Sequence, residues 1–91
     1  MHANYWVPLR KTVGTSGVIV SESHPNKVVT ILQADPGNTQ RIYFGGLTTV
    51  TTLTGAPGLA ADKAISLPGS AQITAVAGAA GQTLLVLEGF R

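Results

Sequence analysis

The apolar residues of this chain fall into short runs separated by glycine, proline and threonine. No run keeps the three-to-four spacing of an amphipathic helix over about ten positions, so helices are expected to be incidental at most. The runs recur at close to the 8 to 12 residue spacing that is typical of a β-sandwich or barrel. Seven strands are predicted, at residues 17–21, 27–34, 40–44, 49–53, 63–67, 72–77 and 83–88.

Turn-forming residues separate these predicted strands. Residues 35–38 read Asp-Pro-Gly-Asn, with proline where a turn needs φ near −65° and glycine where it needs positive φ. This turn predicts a hairpin between the second and third strands. Gly78 and Gly81 predict a tight connection between the last two strands. The expected fold is a small antiparallel β-sandwich, jelly-roll-like, built as a meander or Greek key.

The last predicted strand differs from its neighbours in its hydrophobic pattern. Ile65 and Leu67 alternate with smaller residues, as in a sheet that buries one face, whereas residues 84–87 read Leu-Leu-Val-Leu and are apolar on both faces. Such a strand needs a cover on its second face. The N-terminal arm or a neighbouring subunit could provide it.

Composition limits the chain to one domain that favours association. With 91 residues there is room for one modest core, and the absence of cysteine removes disulfides as a stabiliser. Charged residues make up 11% of the chain, less than half of the usual share of about a quarter, and the mean hydropathy is +0.26. A surface with so little charge is often partner surface, so an oligomer is expected.

Charge and hydropathy also exclude several function classes. The net charge of +2 comes from dispersed lysines and arginines, which argues against nucleic-acid binding. The first residues hold no apolar run like a signal peptide, and no stretch approaches about 18 continuous apolar residues. A protein made in the cytoplasm, without a cleaved signal or a membrane span, is therefore expected.

The chemistry-bearing residues do not form a recognisable active site. His2 lies near the terminus and His24 precedes a proline in a turn, so neither is held as a catalytic base would be. Two separated histidines without cysteine are a poor metal ligand set. Gly45 and Gly46 precede a predicted strand and not the helix that a phosphate loop requires. The four acidic residues lie in different predicted loops and strands, so nothing places two of them together; they are Glu22, Asp35, Asp62 and Glu88. No enzyme activity, cofactor, metal or small-molecule substrate is predicted.

Residues 1–12 differ in character and are interpreted as an N-terminal arm, with residues 13–91 as the sandwich domain. Tyr5 and Trp6 offer large, rigid apolar area, and Arg10 can pair bidentately with carboxylates. With Lys11, these residues are the candidate partner-binding set. The alternative is that Trp6 caps the core of its own domain.

Residues 25–88 carry an ordered series of motifs. The series is Asn-Lys-Val-Val-Thr-Ile at 26–31, Arg-Ile-Tyr-Phe-Gly-Gly at 41–46, a glycine-rich loop at 55–62 before Ala-Ile-Ser-Leu, Ile-Thr-Ala-Val-Ala at 73–77, and Gly-Gln-Thr-Leu-Leu-Val-Leu-Glu at 81–88. In this order the motifs resemble a small β domain of the virion proteins of tailed bacteriophages. Asp62, Lys63, Ile73 and Thr74 depart from that pattern, and the arm has no counterpart in it.

The resemblance implies a capsid decoration, or cement, protein. Such a protein binds the outside of the major capsid protein lattice, as a homotrimer in the leading hypothesis, and is made in the host bacterial cytoplasm. The arm would bridge capsid subunits, so deletion of residues 1–11 is expected to leave a folded domain that no longer joins capsids. The alternative is a tail-side appendage module, either a fibre or spike base or a carbohydrate-binding domain. Outside the arm only Tyr43, Phe44 and Phe90 are aromatic, which argues against sugar binding.

Overall fold

The computed structural model describes residues 3–45 and 58–91, which form eight β-strands and no helix. Accordingly, no helix in these two ranges is able to cross a membrane. The strands are β1 (Tyr5–Val13), β2 (Val18–Ser21), β3 (Lys27–Ala34), β4 (Ile42–Gly45), β5 (Gly58–Leu59), β6 (Ala64–Pro68), β7 (Ile73–Ala77) and β8 (Gln82–Phe90).

The strands form two antiparallel four-stranded sheets. Sheet A has the order β1-β8-β3-β6, and sheet B has the order β2-β7-β4-β5. The first strand therefore pairs with the eighth, the second with the seventh, the third with the sixth and the fourth with the fifth. This is the order of a long hairpin folded over on itself, which is the eight-stranded jelly roll. The prediction of a small all-β sandwich is confirmed.

The core lies between the two sheets and follows from the alternation of side chains along each strand. In β3 the side chains of Leu32 and Ala34 are fully buried, and in β8 Leu84 and Val86 occupy the same layer. Sheet B faces them with a second apolar layer. Its members include Val20, Ile42, Phe44, Ala75 and Ala77.

Six of the seven predicted strands correspond to observed strands within a few residues. The seventh, predicted at residues 49–53, lies outside the described residues. The pattern missed β1 and the two-residue β5.

The hairpin predicted at residues 35–38 is wrong, because β3 belongs to sheet A and β4 to sheet B. The turn itself is present: the Asn38 amide donates to the carbonyl of Asp35 at 3.1 Å. Gly37, however, does not have a positive φ. The Asn38 side chain donates to the Thr83 carbonyl at 2.9 Å and accepts from its amide at 2.8 Å. The side-chain oxygen of Gln82 accepts from the amides of residues 39 and 40. These bonds hold the chain on β8 while it crosses to the other sheet.

The expected boundary at residue 12 is not a structural boundary, because β1 runs through it as a continuous strand. All nine residues of β1 pair with β8, from Tyr5 opposite Phe90 to Val13 opposite Gln82. Val7 and Leu9 are half-buried and Val13 is fully buried, so one side of the strand packs on the sandwich. Most of the predicted arm is thus an edge strand.

Deletion of residues 1–11 is consequently expected to destabilise the domain. The truncation removes the ladder on one edge of β8 and the packing of Val7 and Leu9, whose burial contributes about 1 to 2 kcal/mol each. That loss is a large part of a typical free energy of unfolding of about 5 to 15 kcal/mol. Urea denaturation followed by far-UV circular dichroism measures it. Deletion of residues 1–3 is the control and should change the midpoint little. An unchanged midpoint for the longer deletion would contradict the assignment of β1.

Candidate interaction surface

Sheet A has an apolar outer face, which points away from the core. Leu84 and Val86 lie in the core, so the intervening Leu85 and Leu87 project from the opposite side of β8. The N-terminal strand lies beside β8 and leaves this second face of the strand uncovered. The sequence predicts a cover over the second apolar face of β8, and β1 does not provide it because it lies beside β8 in the same sheet.

Cross-strand neighbours extend the apolar character over three strands. The register places residues of β1, β8 and β3 in three rows, and residues in one row project from the same face. We define the outer sheet-A face by these three rows: Trp6, Gly89 and Val29 in the first, Pro8, Leu87 and Ile31 in the second, and Arg10, Leu85 and Gln33 in the third. Arg10 is the one charged residue among these nine.

Trp6 lies across Gly89 on this face. A β-carbon added at Gly89 would be 2.7 Å from Cζ3 of Trp6 and 2.8 Å from Cγ1 of Val29, both far inside van der Waals contact. Glycine at position 89 therefore lets the indole approach the backbone of β8. The Trp6 side chain is still 45% exposed, so a large part of the ring is available to a partner.

The four predicted partner-binding residues do not form one patch. Trp6 and Arg10 lie on the outer sheet-A face, and Trp6 is not part of the buried core cluster. Tyr5 and Lys11 alternate to the other side of β1. Tyr5 stacks on Phe90 with ring centroids 5.3 Å apart, and Lys11 lines a cleft of 170 Å³ beside Glu88. For β8 the sequence predicted a cover on the second face, by the arm or by a neighbouring subunit, whereas the outer apolar residues of β3 were missed as candidates for partner contact.

A buried polar cluster ties the two sheets together, and no pattern in the sequence predicted it. The Lys27 side chain is only 2% exposed. Its Nζ donates to Ser21 Oγ at 2.7 Å and to the carbonyls of Glu22 and Ala71 at 2.8 and 2.9 Å. Ser21 Oγ in turn donates to Glu88 Oε2 at 2.5 Å. The chain Lys27–Ser21–Glu88 thus runs from sheet A to β2 of sheet B and back to sheet A.

The three acceptors around Lys27 match the three N–H donors of an ammonium group. Burial lowers the pKa of Lys27, while the negative charges of Glu88 and Glu22 act in the opposite direction. An ammonium has no lone pair with which to take a proton from Ser21. The geometry is that of a structural tie between the two sheets.

Other residues with possible chemistry are dispersed in the structure. His24 Nδ1 accepts from the Asn26 amide at 3.1 Å, and its ring meets Phe90 edge-on at a centroid distance of 5.0 Å. His2 and Gly46 lie outside the described residues. Within residues 3–45 and 58–91, no three histidine or carboxylate side chains come together as metal ligands would.

Removing either end of the Lys27–Ser21–Glu88 chain should lower the free energy of unfolding. Removing both ends should lower it by less than the sum of the two single losses. Lys27→Met leaves Glu88 buried without its nearby cation, and Glu88→Gln leaves Lys27 without that countercharge, each costing up to about 3 to 5 kcal/mol. A double-mutant cycle on the free energy of unfolding checks this. We expect the double variant to be destabilised by less than the two single losses added together. Strict additivity would show that Lys27 and Glu88 do not interact through Ser21.

The lowered pKa of Lys27 also predicts a pH dependence of stability. The folded protein releases this proton at a lower pH than the unfolded chain, whose lysine titrates at its ordinary value of 10.5. Between the two pKa values the unfolded state binds more protons, so the Lys27 contribution to the free energy of unfolding increases with pH. Denaturation of the wild type and of Lys27→Met at several alkaline pH values measures this contribution as a difference. A difference that falls with pH would mean that the folded pKa is raised.

Comparisons with known proteins bear on the fold. No family model and no curated protein sequence matches this chain, so the resemblance to phage virion domains stays a prediction. Among solved structures, Bacillus endospore appendages, described as a novel family of disulfide-linked pili, include a chain of similar fold. That match has a TM-score of 0.56 and 18% sequence identity, and it covers 94% of this chain and 85% of the other. At this identity the likeness concerns the fold, and it supports a small β-sandwich.

Proposed function

We propose that this protein is a non-enzymatic structural module that binds an assembled protein lattice through its outer sheet-A face. In the leading form of the proposal it is a capsid decoration protein that binds the outside of the major capsid protein shell of a tailed phage. The observation that carries the proposal is the apolar outer face of β8 and its neighbours, which has Arg10 as its one charged member.

The composition of this face suits a protein interface. Leu87 and Ile31 provide aliphatic surface at its centre, and burial of such surface contributes roughly 25 cal/mol per Å². Trp6 adds the residue type that is most enriched among interface hot spots. Arg10, at the sheet edge, can pair bidentately with a carboxylate of the partner. Apolar contact would supply affinity, and the single cation would help to set orientation.

The face is also held rigid before any partner binds. Its central strand β8 is paired along both edges, with β1 on one side and β3 on the other. Binding then costs little ordering of the backbone, which favours affinity for a given area. A partner that offers its complementary surface only in the assembled state would be stabilised in that state by mass action. This is how a decoration protein would reinforce a shell, and a homotrimer would present three such faces to one lattice position.

A second candidate is a subunit of an appendage, on the tail side of a phage particle or elsewhere. The fold likeness to an appendage-forming protein supports it. So do the edge strands β1 and β6 of sheet A, each of which has one edge without a partner strand among residues 3–45 and 58–91. Subunits that associate head to tail form open filaments when the rotation does not close. The present chain has no cysteine, so it would contribute no disulfide to such an assembly.

A charge placed on the outer sheet-A face tests the proposal. Leu87→Glu introduces a carboxylate that binding would bury, and we expect it to weaken binding to decoration-free heads of the parent phage by at least tenfold. Ile19→Glu is the matched control, because Ile19 is 43% exposed on β2 of the other sheet. Co-sedimentation with heads measures binding, and thermal unfolding shows that both variants are folded.

The results separate the two candidates. Binding by the wild type and by Ile19→Glu, but not by Leu87→Glu, supports a decoration protein. Filaments formed by the purified wild type without heads, and lost in Leu87→Glu, support the appendage subunit. Equal behaviour of the two variants in both assays contradicts the use of the outer sheet-A face.

A further inference from the structure

A cleft opens between the edge strands β1 and β2 of the two sheets, next to the turn that follows β2. Its volume is 170 Å³, and the lining residues used below are Lys11, Glu22, Ser23, His24, Glu88 and Phe90. Glu22, Ser23 and His24 are exposed, and Lys11 is half-buried. A ligand in solution can therefore reach polar side chains in this cleft.

An aromatic pair borders the cleft. Tyr5 and Phe90 lie opposite each other in the register of β1 and β8 and therefore project from the same face of sheet A. Their rings stack with a centroid distance of 5.3 Å and an interplanar angle of 12°. Phe90 is buried and lines the cleft, whereas the Tyr5 side chain is 52% exposed. The exposed part of the tyrosine ring thus offers a flat apolar platform beside the cleft.

The turn after β2 holds the polar side of the cleft in place. The His24 amide donates to the Ser70 carbonyl at 3.1 Å, and the His24 carbonyl accepts from the Lys27 amide at 3.0 Å. His24 Nδ1 accepts from the Asn26 amide at 3.1 Å, so the neutral ring carries its proton on Nε2. The same ring meets Phe90 edge-on, with centroids 5.0 Å apart. These groups are positioned before a ligand binds, which lowers the ordering cost of binding.

The side chains in the cleft are suited to hydroxyl groups. Lys11 donates hydrogen bonds, the carboxylate of Glu22 accepts them, and the hydroxyl of Ser23 does both. The carboxylates of Glu22 and Glu88 disfavour an anion such as phosphate, and the ammonium group of Lys11 disfavours a cation. A neutral ligand that carries several hydroxyl groups can pair with both kinds of side chain.

We propose that Tyr5 and this cleft bind a neutral carbohydrate through one pyranose ring of a glycan. The C–H face of the sugar ring packs on the exposed part of Tyr5, because an aromatic ring offers a large apolar surface. The sugar hydroxyls pair with Lys11, Glu22 and Ser23. The cleft is smaller than most small-molecule sites, so we expect a dissociation constant in about the millimolar range.

This site is independent of the proposed function. Tyr5 projects from the side of β1 that is opposite to Trp6, and the cleft is not part of the outer sheet-A face. The small number of aromatic residues outside the predicted arm argues against sugar binding. The structure changes that expectation, because it stacks Tyr5 of the arm on Phe90 beside a polar cleft.

Cellobiose, lactose and maltose are the probes, and sorbitol is the control because it carries hydroxyl groups without a ring face. Each is titrated into the full-length protein while the NMR signals of the Tyr5 and His24 rings are followed. We expect saturable shifts of both rings with at least one disaccharide and none with sorbitol. The absence of saturable shifts with all three disaccharides would overturn the proposal. Equal affinity for sorbitol would overturn the role of the tyrosine platform.

Two variants at Tyr5 test the platform directly. Tyr5→Ala removes the ring and should weaken disaccharide binding by about tenfold or more, whereas Tyr5→Phe keeps the ring and should stay within about threefold of the wild type. Trp6→Ala is the matched control, because Trp6 is a similarly exposed aromatic side chain on the other side of β1. Thermal unfolding shows that the variants are folded. Equal affinity of the wild type and Tyr5→Ala would contradict the proposed site.

Glu22→Ala tests the polar side of the cleft. Loss of this carboxylate should weaken disaccharide binding by about two- to tenfold. The variant keeps the Glu22 carbonyl that accepts from Lys27 Nζ, so the buried tie is preserved. Unchanged affinity would contradict the contact with Glu22. Binding to phage heads separates this site from the proposed function, since Trp6→Ala should weaken head binding and leave disaccharide binding intact, and Tyr5→Ala should do the reverse.

Discussion

Antiparallel pairing of β8 along both of its edges organises sheet A and the core beneath it. This nine-residue strand connects β1 to β3 and places Leu84 and Val86 at the centre of the core. Its two ends are fixed by buried polar side chains. Gln82 holds the chain that crosses from β3 to β4, and Glu88 accepts the hydrogen bond from Ser21 that ties sheet B to sheet A.

The same pairing gives rise to the candidate interaction surface. Because β8 is apolar on both faces, placing Leu84 and Val86 in the core leaves Leu85 and Leu87 on the outside. The strands on either side add Trp6 and Ile31 to that face. In a chain of 91 residues nothing among the described elements covers it. The core of the sandwich and its proposed interaction surface thus derive from one sequence pattern.

Much of the fold could be predicted because strand periodicity is a local property. The pattern at residues 27–34 gives β3 with its observed bounds, whereas β1 was missed because Trp6, Pro8 and Arg10 obscure the alternation of their strand. These residues are tolerated because β1 is an edge strand, where a proline needs no partner for its missing amide hydrogen. The crossing after residue 38 could not be predicted, since it depends on Gln82, a residue more than forty positions away.

The candidate sites show the same division between local and long-range information. The aromatic residue Trp6 and the doubly apolar β8 could be recognised from sequence, but not that register would align them on one face. The burial of Lys27 gave no local signal, because its cluster depends on residues distant in sequence. The Ala71 carbonyl is 44 residues from Lys27, and Glu88 is 67 residues from Ser21.

The proposed function requires that the outer sheet-A face is buried when the protein assembles. Hydroxyl-radical footprinting with mass spectrometry, on the free protein and on the assembled particle, measures it residue by residue. We expect strong protection of Trp6, Leu85 and Leu87 on assembly, with Ile19 on the other sheet unchanged. Protection of Ile19 with continued oxidation of Trp6 and Leu87 would contradict it.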